Sequence, residues 1–184
     1  MKKLNLVLTS AFLSTVLTAC GNVSDVNFER YTLTQDVQPE SYLSTLNVSL
    51  HLAPVLDQGG VVLQISDVSL RPAKNHRYSA DLDNELRVIF IDELSKASLN
   101  KKFVNYQYKL YVPKFQGTID GKSIVSVSLQ IIDPKNDQVI YTGSHSSESD
   151  ISADGYGPLV TALKANYLKS VNYLIDEMRK LNLK

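Results

Sequence analysis

The chain has 184 residues, 19 basic against 19 acidic side chains, a single cysteine and no tryptophan. With 43% hydrophobic residues it is long enough for one hydrophobic core, and its balanced charge lacks the strongly basic face that nucleic acid selects. One cysteine leaves no partner for an internal disulfide.

The first twenty residues read MKKLNLVLTSAFLSTVLTAC. Lys2 and Lys3 precede an apolar stretch from Leu4 to Val16 that is too short and too interrupted by Thr9, Ser10, Ser14 and Thr15 for a span of about 20 apolar residues. This is the layout of a secretory signal. Leu17-Thr18-Ala19-Cys20 resembles the lipobox of bacterial lipoproteins. That resemblance implies a diacylglycerol on the Cys20 thiol, cleavage of residues 1–19 as a signal peptide and acylation of the new amino group. Gly21 and Asn22 follow, in place of the aspartate associated with inner-membrane retention, which implies an anchor in the outer membrane with the domain facing the periplasm. Loss of Lys2 and Lys3 leaves acidic side chains two in excess.

Residues 20–44 are expected to form the lipidated N-terminus and a polar linker with a short strand near Arg30 to Leu33, and residues 45–184 a single domain. Leu46, Val48, Leu50 and Leu52 alternate with Asn47, Ser49 and His51, the period of a half-buried strand. Pro54 stops it, Gly59-Gly60 supply a turn, and Val61 to Ile65 is a short apolar run that fits a strand or a packed loop. Ser66 to Tyr78 is rich in solvated types and is expected as a loop or edge segment.

The period then changes. Leu82, Leu86, Ile89, Phe90 and Leu94 predict a helix over 80–96, with Ser79 or Asp81 as its cap, ending at Leu99 to Lys102. Tyr106, Tyr108, Leu110 and Val112 alternate next, and of Tyr106, Tyr108 and Tyr111 two are expected in the core and one on the surface. Val125, Val127, Leu129 and Ile131 form the following strand, after an Asp120-Gly121 hairpin signal. A second turn at Asp133 to Asp137 leads into Val139 to Gly143, which completes an antiparallel meander. Ser144 to Asp154 is polar and acidic. Leu159, Leu163, Tyr167, Val171, Leu174, Met178 and Leu181 then step by three and four, an amphipathic helix of roughly 25 residues entered through Asp154-Gly155 with Pro158 in its first turn. The expected class is α+β, with a mostly antiparallel or mixed sheet and two helices packed on one face.

Several segments taken in order carry a family resemblance. They are Tyr31-Thr32-Leu33, Gly59-Gly60-Val61-Val62, Gln64-Ile65-Ser66-Asp67-Val68, Leu82-Asp83-Asn84-Glu85-Leu86-Arg87, Phe115-Gln116-Gly117-Thr118-Ile119-Asp120-Gly121-Lys122 and Asp154-Gly155-Tyr156. Behind a lipobox, they resemble the PqiC-type auxiliary lipoproteins of ABC-type and MCE lipid-transport systems. The resemblance implies an outer-membrane accessory subunit that works with a periplasm-spanning MCE-domain protein, supports envelope integrity and assembles into homo-oligomeric rings.

Catalytic chemistry finds little support in the residues. The three histidines are scattered, and His51 falls on the polar face of its strand. Gly143-Ser144-His145-Ser146-Ser147 lacks the second glycine of a nucleophile elbow. His145, Glu148, Asp150 and Asp154 lack metal-ligand spacing, so a solvated loop is the simpler reading and no metal or cofactor is expected. Asp154, Gly155 and Tyr156 are the candidate partner or oligomer interface, against the simpler reading of a helix entry whose Tyr packs on the meander. The expected role is therefore noncatalytic. A regulator of a cell-wall synthase, which also pairs an anchor and linker with a small α+β domain, is the alternative, and cross-linking to a synthase would select it.

Overall fold

The computed structural model describes residues 28–99 and 104–181. The signal segment, Cys20 and part of the turn expected at Leu99 to Lys102 lie outside the described residues. Seven strands and three helices follow in the order β1 (Glu29–Tyr31), α1 (Pro39–Tyr42), β2 (Asn47–Leu52), β3 (Gly60–Ser66), β4 (Ser69–Tyr78), α2 (Leu82–Lys96), β5 (Gln107–Thr118), β6 (Lys122–Asp133), β7 (Gln138–Asp150) and α3 (Tyr156–Arg179). All seven strands belong to one sheet, ordered β1-β4-β3-β5-β6-β7 with β2 added beside β5.

The sheet is mixed, which corrects the expectation of a mostly antiparallel one. The strand pairs β1 with β4, β2 with β5 and β3 with β5 are parallel, whereas β3 with β4, β5 with β6 and β6 with β7 are antiparallel. Because β6 occupies one edge of β5, β2 and β3 must share the other. Strand β2 runs beside Gln107 to Val112 and β3 beside Gln116 to Thr118. The changeover falls at Pro113, where the β5–β6 register also shifts between Tyr111 and Lys114. Proline has no N–H for a ladder, so it sits at a break between partners with no bond forfeited.

Two polar stretches, one expected as a loop or edge segment and one as a solvated loop, are strands. Residues 69–78 form β4, held between β1 and β3, and the polar run after Gly143 continues β7 as far as Asp150. In β7 the reason is a polar network under α3. The Ser147 hydroxyl donates to Asn166 Oδ1 at 2.7 Å, and Asn166 Nδ2 donates to Ser123 Oγ at 2.7 Å and Ser149 Oγ at 2.9 Å. Ser123 and Ser147, partnered in this way, are buried without an unsatisfied group, so their polarity does not force them into water.

The helices match their periodicity. In α3, Leu159, Leu163, Tyr167, Val171, Leu174 and Met178 are all 2% exposed or less and share one core cluster with Leu86, Ile89, Phe90 and Leu94 of α2. That cluster includes Tyr108, Leu110, Val112 and Phe115 of β5 and Val125, Val127, Leu129 and Ile131 of β6. Phe90 meets Tyr108 edge-on at 5.8 Å, and Phe115 lies between Tyr78 at 6.1 Å and Tyr167 at 6.3 Å. Tyr108 is thus core, Tyr106 packs partly against it, and Tyr111 is exposed.

The stretch that follows β1 is fastened along α2 by two buried carboxylates placed two turns apart. Glu85 accepts from the Thr32 hydroxyl at 2.8 Å and the Leu33 amide at 3.4 Å. Asp92 accepts from the Gln38 amide at 3.1 Å and the Ser41 hydroxyl at 2.9 Å, and its other oxygen lies 2.7 Å from Lys96 Nζ. Burial raises the Glu85 carboxyl above its ordinary range despite these donors. At Asp92 burial also pushes upward, but the bonds from Lys96, Gln38 and Ser41 outweigh it and hold the carboxyl below its usual 3.8.

A depressed carboxylate stabilises the fold above its unfolded value and loses that contribution as pH falls through the lower folded one. Asp92→Asn is expected to cost about 2 kcal/mol at pH 7, the scale of hydrogen bonds to a charged group. In urea melts, the gap from the parent protein should narrow as pH falls below about 4.

Candidate functional site

One end of the sheet gathers the β3–β4 turn, the β5–β6 turn and the entry to α3, because β3 and β5 run in parallel and finish together. The turn after β5 is closed by the Gly121 amide donating to Thr118 O at 3.2 Å. The Ile151 amide then donates to Gly121 O at 2.8 Å and pins the segment after β7 to that turn. Gly155 precedes α3 with φ +110° and ψ 169°, a backbone shape that side-chain-bearing residues avoid. It lets the chain reverse from β7 into the helix.

Beyond Gly155 the Tyr156 ring stacks on His76 of β4, with centroids 3.9 Å apart and planes at 14°. His76 Nδ1 lies 3.1 Å from the Tyr31 hydroxyl and 3.5 Å from Glu29 Oε2, and the Tyr31 hydroxyl donates to Glu29. Burial first, then the Glu29 carboxylate, pushes the Tyr31 phenol above its ordinary range and keeps the proton on that oxygen. The group ties β1 to β4 and to the start of α3.

Beside this stack is a cavity of about 270 Å³ whose apolar lining is Leu63, Ile119, Ile151, Tyr156 and Leu159. Its floor depends on Gly117. A Cβ there would stand 2.7 Å from Leu159 and 2.9 Å from Leu63, so the bare backbone lets both leucines close over it. Ile119 is 74% exposed at its mouth, and Val68, at the neighbouring hairpin tip, is 97% exposed.

The predicted site residues divide clearly. Asp154, Gly155 and Tyr156 all line the cavity. Cys20 lies outside the described residues. His145 turns toward α3, with Nδ1 3.1 Å from the Ser170 hydroxyl and its ring 4.3 Å from Tyr173. Ser170 is fully buried, so this Ser–His contact is closed to a substrate. Glu148, on the opposite face of β7, is 2.7 Å from Lys122. Alternation along the strand thus separates His145 from Glu148, and among the described residues no three His, Cys, Asp or Glu side chains are grouped to hold a metal. Sequence reasoning missed Glu29 and His76, and named Tyr31 only within a family segment without linking it to them. Their signal, an aromatic and a histidine in polar stretches, has no meaning until β1 is paired with β4.

A mixed sheet carrying a long C-terminal helix, with its open end at the start of that helix, defines an α+β scaffold. The model of the ABC-type transport auxiliary lipoprotein component matches residues 31–171, and the chain belongs to that PqiC-like family. It is therefore an auxiliary lipoprotein of the cell envelope, associated with a membrane. A crystal structure of an uncharacterized protein superposes with a TM-score of 0.67 at 22% identity, covering 83% of this chain and 99% of the other. A DUF330 protein of Xanthomonas campestris gives 0.58 at 9% identity, covering 71% and 80%. Both likenesses concern the fold. No functionally curated protein matches the sequence.

Proposed function

We propose that the chain is an outer-membrane lipoprotein, acylated at Cys20 and facing the periplasm, that serves as a noncatalytic accessory subunit of an MCE/ABC-type lipid-transport system. Family membership across residues 31–171 is the observation that carries this reading. The composition of the chain agrees with it, since a Cys20 anchor holds a water-soluble body at a bilayer without a membrane span. Among the described residues no helix is long and apolar enough to cross a membrane. In this reading the protein works as a homo-oligomer, and the end bearing Asp154, Gly155 and Tyr156 docks on a periplasm-spanning MCE-domain protein.

The test is affinity purification of the chromosomally tagged protein from solubilised envelopes, paired with a clean deletion. Recovery of an MCE-domain protein together with increased detergent sensitivity of the deletion strain is the expected result. Recovery of a cell-wall synthase in its place, or a deletion strain with unaltered resistance and no MCE partner, would overturn it.

A further inference from the structure

We infer that the cavity between the two hairpin tips and the start of α3 is a socket for one aliphatic or aromatic side chain of a partner protein, presented by a segment whose flanking residues are lysine or arginine. The inference rests on the reading of this end as a docking surface and adds the chemistry of what docks.

Three features select that occupant. The first is size. At about 270 Å³ the cavity falls below the range of roughly 300 to 1,000 Å³ that holds a drug-sized ligand, so it suits an inserted side chain better than a whole lipid. The second is the apolar surface left in water. Ile119 and Val68 are bulky aliphatics at the tips of adjacent hairpins, 74% and 97% exposed, where turn chemistry calls only for small or polar residues.

The third is charge. Asp154 lines the cavity itself, Asp67 and Asp120 sit in the two turns and line the adjoining pocket that shares Thr118 and Ile119 with it, and Asp150 closes β7; none is within ion-pair distance of a described cation. Lys122 pairs with Glu148 at 2.7 Å and also lies within electrostatic reach of Asp120 and Asp150, and Arg71 is opposite Leu63 on β4, so the acidic groups at this end still outnumber the cations beside them. An apolar centre inside an acidic rim repels phosphate headgroups and attracts a basic segment. The same rim disfavours a second copy of this end, which carries the same sign.

A photo-reactive benzoylphenylalanine placed at Ile119 in the full-length, membrane-borne protein tests this directly, since that side chain is exposed and its replacement leaves the core intact. After irradiation of living cells, the cross-linked peptide is sequenced by mass spectrometry. The expected adduct lies on another envelope protein, at an apolar residue with lysine or arginine within a few positions. Its yield should drop at least threefold in the Asp120→Asn, Asp154→Asn double variant and in spheroplasts at raised salt, because screening weakens exposed charge pairs.

An adduct on a transport partner through a segment without basic residues, or one indifferent to the double variant, overturns the chemistry inferred here and leaves the docking role standing. Adducts confined to phospholipid or to a second copy, or no adduct at all, overturn the socket and the docking role together.

Discussion

Tyr167→Ala is expected to destabilise the protein by roughly 3 to 5 kcal/mol, the range for removing a large buried aromatic. Tyr167 is 0% exposed, meets Phe115 edge-on at 6.3 Å and donates its hydroxyl to Leu86 O at 2.9 Å. One side chain thus joins α3 to the sheet and to α2. The hydroxyl and the ring separate experimentally. Tyr167→Phe keeps the packing and leaves Leu86 O without this donor, so it should cost only about 1 kcal/mol. Equilibrium urea denaturation of the two variants checks both values. Equal losses would mean that the hydroxyl, and not the ring, carries the contact.

The second large effect is expected on location and not on stability. Cys20→Ser removes the thiol that a diacylglycerol would occupy, and with it the chains that contribute about 0.8 kcal/mol for each buried CH₂. No helix among the described residues supplies a substitute span. The variant should pass from the membrane pellet to the soluble periplasmic fraction almost completely, with the circular dichroism of the folded part unchanged. A variant that still pellets with membranes after a high-salt wash would remove the basis for an acyl anchor.

Much of the architecture was legible in the residues, and the reasons for success and failure are specific. The stripe from Leu159 to Met178 announces α3 because a helix buries one face at a period that any chain order preserves. The alternation of β5 and β6 was equally readable, and the Asp120-Gly121 turn joined them correctly. Alternation does not say which strand lies alongside, however. The parallel pairs β2 with β5 and β3 with β5 join segments far apart in the chain, and no local signal records them. Polarity misled in β4 and the end of β7, where Asn166 and the serines satisfy one another beneath a helix.

The site divides in the same way. The helix entry at Asp154-Gly155-Tyr156 could be found from sequence because a glycine before a proline-bearing helix start is a local event. The ring on which Tyr156 rests could not, since His76 reaches it only once β4 is in the sheet. Exposed Ile119 and Val68 were visible as letters but not as residues of one end of the molecule, because their two turns come to the same end only when β3 and β5 finish side by side.

The divided edge of β5 also governs the order in which the chain can acquire its shape. A polypeptide that emerges amino end first presents β1, β2 and β3 before β5, against which two of them must align. Those early segments have open ladders until Gln107 to Thr118 emerges, and such long-range closure is intrinsically slow. The newborn protein therefore passes through an interval in which sticky strands stand unpaired, when a holding chaperone is most useful to it.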